Sequence, residues 1–113
     1  MKTKIQNLAS EYIEEILSIR RHIHENPELS FEENETSAFV QRKLDEIGIS
    51  YKTGFAEHGI LGILKGDKGE GKTIALRADM DALPIVEENN LPFKSCKTGI
   101  MHACGHDIHT SCL

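Results

Sequence analysis

Apolar residues first recur along the chain at helical steps. Ile5, Leu8, Tyr12, Ile16, Ile19 and Ile23 are spaced by three or four, which predicts a helix with one apolar face. Asn26-Pro27 predicts its end, because a proline ring disfavours helical backbone in the residue before it. A second helix is predicted from about Glu33 to Ile47, with Phe39, Val40, Leu44 and Ile47 inward. Gly48 suits the left-handed position just past a helix. The period then falls to two. Ile49, Tyr51, Thr53 and Phe55 alternate with polar or small residues and predict a half-buried strand. Gly59 to Lys65 and Thr73 to Ala78 read as two further strands around a charged, glycine-rich turn from Gly66 to Gly71, so that the two could form a hairpin. Pro84 and Pro92 bracket an irregular or edge segment. Two helices followed by strands of a mixed sheet predict an α/β or α+β layer structure.

Composition narrows the function classes. The chain has 113 residues, of which 39% are hydrophobic and 27% charged, an ordinary globular balance for one domain. Its 13 basic and 18 acidic side chains leave a net charge of −5, which argues against a nucleic-acid partner. The apolar runs are too short to span a membrane. Three cysteines without a pairing pattern argue against a disulfide framework, and the N-terminus lacks an apolar run of signal-peptide length. A cytoplasmic protein with reduced thiols is expected.

Gly66-Asp67-Lys68-Gly69-Glu70-Gly71-Lys72-Thr73 matches the spacing of a phosphate-binding loop. That chemistry needs a helix starting at the end of the loop. Here Thr73-Ile74-Ala75-Leu76 opens an apolar run that ends in spaced acids and Pro84, so a solvated turn is expected instead.

Chemistry concentrates in two later stretches. In Arg77-Ala78-Asp79-Met80-Asp81-Ala82-Leu83-Pro84, extended backbone puts Arg77, Asp79 and Asp81 on one side at the end of a strand. Two acids one pleat apart repel unless a cation or hydrogen bonds offset them. In Met101-His102-Ala103-Cys104-Gly105-His106-Asp107-Ile108-His109, the residues His102, Cys104 and His106 alternate, and extended backbone would project all three together. Thiolate and imidazole suit zinc, with manganese or cobalt conceivable. Asp107 could be a ligand or an acceptor behind an imidazole N–H. Cys96 and Cys112 read as small core or surface thiols.

These two stretches, with Thr110 closing the second, resemble signature blocks of metal-dependent amidohydrolases and exopeptidases of the aminoacylase and carboxypeptidase G type. The branch is that of hippurate hydrolase, N-acyl-L-amino-acid amidohydrolases and plant auxin-conjugate hydrolases. Arg20-Arg21-His22-Ile23-His24-Glu25-Asn26-Pro27-Glu28-Leu29-Ser30-Phe31 resembles the family's N-terminal block, although alone it reads only as a charged helix end. The resemblance covers about residues 12 to 113, with three blocks in order.

The resemblance implies a two-domain enzyme with two divalent ions (zinc, manganese or cobalt) in an α/β, zinc-exopeptidase-like catalytic domain. Residues 1 to 113 would be the N-terminal part of that domain, without the lid domain. By position Cys104 and His106 resemble metal ligands, and Asp81 the carboxylate that supports the metal site near the catalytic base. Asp79 is not assigned as a ligand, and His102, His109 and Asp107 are given supporting roles only. The implied reaction is hydrolysis of the amide bond of small N-acyl amino acids by a full-length, conceivably homo-oligomeric, enzyme. The family's general base and remaining ligands fall later in the chain, so the 113 residues alone are expected to be inactive. The rival reading is a small structural-zinc binding module complete at Leu113. A nucleotide-binding module built on Lys72 is a third.

Overall fold

The computed structural model describes residues 1 to 69 and 71 to 113. Its elements run α1 (Lys2–Glu25), α2 (Asn34–Glu46), β1 (Ser50–Phe55), β2 (Gly59–Ile63) and α3 (His106–Cys112). The first two helices lie where the apolar spacing puts them. The helical chain stops at Asn26, directly before Pro27, and Gly48 takes a left-handed φ of 74° beyond α2. Fold class follows the expectation of an N-terminal part of an α/β catalytic domain, two helices followed by strands.

Burial corrects the predicted helix faces. α1 is partly buried only from Ile16 onward, and Ile5, Leu8 and Tyr12 are exposed. On α2, Phe39, Val40 and Leu44 are half-buried, but Ile47 is exposed because it already lies in the cap. The side chain of Glu28 starts α2. Its Oε1 and Oε2 accept the backbone N–H groups of Glu35 and Thr36, each at 3.0 Å. A buried carboxylate on the free donors of a first turn satisfies them and favours the positive end of the helix dipole.

β1 and β2 pair antiparallel, Ser50 with Ile63 through Phe55 with Gly59, with a register shift between Thr53 and Phe55. The hairpin therefore joins β1 to β2, and the expected pairing of Gly59–Lys65 with Thr73–Ala78 does not form. Thr73 to Ala78 is not a strand, and Ile74 and Leu76 are 83% and 76% exposed. An apolar, β-prone run becomes a strand only when a neighbour takes its backbone groups and covers its side chains. Neither exists here among the described residues. The glycine-rich turn and the phosphate-loop match both include Glu70, which lies outside the described residues. The residues directly after Gly71 form no helix, so the context for a phosphate loop is missing.

Two isolated bridges join the three motif blocks. Leu29 pairs parallel with Ala82, and Leu83 pairs antiparallel with Met101. Ala82 N–H donates to the Glu28 carbonyl at 2.7 Å, and Leu83 and Met101 exchange N–H···O bonds of 2.9 and 3.0 Å. This seam is the one place where the expected mixed pairing occurs among the described residues. The buried centre beside it is mostly polar. Among the described residues Ile23 and Ala82 are the buried hydrophobic ones, against buried His24, Glu28, Thr36, Ser37, Glu87, His102 and Asp107. The radius of gyration is 15.6 Å, against roughly 13 Å for a compact domain of this length. The chain is extended because much of its apolar surface finds nothing to pack on.

Candidate metal-binding site

Gly105 turns the chain into α3 at a φ of 109°, a conformation that suits a residue without Cβ. The expected extended run from His102 to His106 therefore does not exist. His102 is buried, Cys104 is exposed, and the half-buried His106 begins a helix. α3 escaped the sequence reading because it has seven residues and little apolar periodicity.

His106 is held from behind. Its Nδ1 lies 2.9 Å from Asp81 Oδ1 and 3.0 Å from the Asp81 carbonyl oxygen. Both are acceptors, so Nδ1 carries the proton and donates. In the neutral ring, Nε2 then presents its lone pair, 3.5 Å from Asp79 Oδ2. A carboxylate behind one ring nitrogen that frees the other is the usual way a metal-ligating imidazole is oriented. Ser30 Oγ donates to Asp81 Oδ2 at 2.7 Å. That bond is the main reason the Asp81 carboxyl lies below its ordinary range. Burial opposes it, and the hydrogen bond from His106 adds to it.

The two acids repel less than their spacing suggests. Asp81 points to Ser30 and His106, while the guanidinium Nη1 of Arg77 lies 2.7 Å from Asp79 Oδ1. That approach is short enough for an ion pair, but Oδ1 is buried and has no hydrogen-bond donor, so the pairing is off-angle. We take it as charge compensation only. Thr110 Oγ donates to the Asp79 carbonyl at 2.7 Å and ties α3 to the same segment.

A second polar cluster backs the first. His24 Nδ1 lies 2.8 Å from Asp107 Oδ2, and its Nε2 lies 3.1 Å from Glu87 Oε1. Arg20 Nε donates to Asp107 Oδ2 at 2.9 Å, and Ser95 N–H to Glu87 Oε2 at 2.7 Å. Burial pushes the Glu87 carboxyl up, but the donors from Ser95, His24 and Asn89 outweigh it and leave it lowered. Asp107 is thus an acceptor behind an imidazole, though that of His24. His102 is the exception to this good pairing. It is 4% exposed and neither ring nitrogen has a partner. Burial, partly offset by Asp107, pushes it down to about 4.

Sequence reasoning missed Ser30, Glu28, His24 and Glu87 as working residues. Three of them lie in the Arg20–Phe31 block, so a signal existed, but their partners are 51 to 83 residues away or act through backbone. Glu87 had no signal. His109 is exposed, its ring centroid 5.8 Å from that of His106. Cys96, Cys104 and Cys112 are exposed free thiols. Among the described residues no three His, Cys, Asp or Glu side chains converge as a complete metal cage. The donor set nevertheless fits part of one: an imidazole Nε2 facing Asp79 Oδ2, and a free thiol two residues before that imidazole.

Comparisons with known proteins place the chain's likeness. Residues 75–113 match the model of peptidase family M20/M25/M40. The chain is 50% identical over 99 residues to N-acetyl-L-cysteine deacetylase of Bacillus subtilis, covering 88% of this chain and 24% of the relative. It is likewise 50% identical over 99 residues to hippurate hydrolase of Campylobacter jejuni, covering 88% and 26%. Among solved structures it is similar to Bacillus subtilis YxeP, described as a dinuclear metal-binding peptidase of the M20 family. The TM-score is 0.84 at 45% identity, over 90% of this chain and 29% of that one. The chain therefore spans about a quarter of the length of the relatives it matches.

Proposed function

We propose, for a chain that belongs to peptidase family M20/M25/M40, that it forms the metal-facing N-terminal part of an amidohydrolase acting on N-acyl amino acids. One observation carries the reading. The Asp81 carboxylate fixes His106 by Nδ1 and leaves Nε2 directed at Asp79. In this reading His106 and Cys104 hold divalent metal, two ions in the full site, and Asp81 orients His106 rather than touching metal. Bound divalent ions polarise an acyl carbonyl and lower the pKa of water. The chain's own residues do the preparatory work. Ser30 keeps the Asp81 carboxylate ionised and aimed, Asp81 holds the proton on Nδ1, and Arg77 balances the charge of Asp79. The names of the relatives support a small N-acyl amino acid as substrate. A cytoplasmic setting and a homo-oligomeric full-length enzyme complete the proposal.

The test is to express the chain together with the coding sequence that follows Leu113. With zinc, manganese or cobalt that longer protein should hydrolyse N-acyl amino acids, and Cys104→Ser or His106→Ala should abolish turnover. The 113 residues alone should show none. Hydrolysis that survives both substitutions, or tight zinc binding whose removal unfolds the 113-residue chain, contradicts the reading.

A further inference from the structure

We infer that His24 is a positioning residue for the metal-facing end of α3, acting through Asp107 on the direction of His106. The inference rests on the role given above to His106, but not on metal being bound.

Both nitrogens of the His24 ring face carboxylate oxygens, Asp107 Oδ2 at 2.8 Å and Glu87 Oε1 at 3.1 Å. A carboxylate oxygen accepts hydrogen bonds, so the imidazole ring bridges the two acids and fixes their separation. Arg20 and His24 thus meet Asp107 and Glu87 through side chains that are 3% exposed or less apart from Arg20. Such buried charge adds little net stability, but it tolerates few arrangements. The carboxylates are fixed independently. Glu87 is held by Ser95 N–H and Asn89 Nδ2, and Asp107 Oδ1 accepts Ile108 N–H.

The consequence falls on α3. Seven residues cannot hold a helix by themselves. Its position comes from anchors: Asp107 to α1 on one side, His106 and Thr110 to the 79–81 segment on the other. Asp107 directly follows His106. Releasing Asp107 therefore frees the turn that presents His106. Phe93 seals the cluster, its ring 5.6 Å edge-on from His24 and 5.1 Å from the Arg20 guanidinium.

Long-range proton–nitrogen NMR on the metal-free, ¹⁵N-labelled chain reports which ring nitrogens carry protons. The expected result is His106 protonated on Nδ1 alone. His24→Gln puts an amide oxygen against a carboxylate, and His106 should lose its single tautomer. Adding Glu87→Gln turns that clash into a donor–acceptor pair and should restore the Nδ1–H form. The inference is overturned if His106 is not Nδ1-protonated in the parent chain. It is equally overturned if His24→Gln leaves that tautomer untouched, or if the double variant recovers nothing. No metal or substrate enters this test, so loss of hydrolysis in the longer protein bears on the functional reading alone.

Discussion

The cluster around His24 and the run from Thr73 to Ala78 are opposites in sequence and in outcome. The first is polar and charged, yet it is buried and nearly every group has a partner. The second is apolar and strand-like by composition, yet it is exposed and unpaired. Hydrophobicity does not by itself decide what becomes interior. Available neighbours do. The polar cluster draws its partners from α1, the 87–95 loop and α3, all within the chain. The apolar run has none among the described residues. The chain spans about a quarter of the length of the relatives it matches.

If that contrast is right, the largest loss follows from opening the polar cluster. Asp107→Ala leaves Arg20 and His24 facing a void and should cost about 3–5 kcal/mol. Urea unfolding followed by circular dichroism measures it, and a loss below 1 kcal/mol would remove the cluster from the centre of the fold. Acid should act next. His102 is held neutral in the fold, well below its ordinary value, so its stabilising contribution is complete above about 6.5. It is lost as pH falls toward about 4, where the unfolded chain binds the proton more readily, a change on the order of 3 kcal/mol. Asp81 and Glu87 are lowered carboxylates, so their contributions are present above the ordinary carboxylate pKa and disappear only at lower pH still. Thermal unfolding of the metal-free chain across pH 7 to 3 should show the histidine phase first; a flat profile down to pH 4 would contradict it.

A smaller effect sharpens the comparison from the polar side. Glu28→Ala removes both caps on α2 and should cost about 1–2 kcal/mol, read in the same urea titration. The smallest effect lies on the apolar side. Ile74→Lys with Leu76→Lys should change stability by no more than about 0.5 kcal/mol per site and should raise solubility, since both side chains already face solvent. A large loss there would mean that the run is packed after all.

The same contrast explains what the sequence could disclose. α1, α2, β1 and β2 rest on local periodicity and on Pro27 and Gly48, and as elements all are legible, but the pairing of β1 with β2 and the exposure of β1, expected to be half-buried, were not. The strand at Thr73–Ala78 was misjudged because periodicity reports what a segment could do and not whether a neighbour exists. α3 was missed because its seven residues hold their place by tertiary anchors. The blocks around Asp81 and His106 pointed to the right region. The geometry behind them, Ser30 to Asp81 to His106 and His24 to Asp107, spans separations that no local pattern encodes.

Cobalt is the most direct probe of the central claim, that Cys104 and an Asp81-oriented His106 face a metal. Cobalt(II) added to the 113-residue chain should give a thiolate charge-transfer absorption that Cys104→Ser abolishes. Asp81→Asn should weaken its appearance by about 10- to 100-fold in cobalt concentration while leaving the helical signal intact. An absorption that persists in Cys104→Ser, or a titration that Asp81→Asn leaves unchanged, would contradict the account.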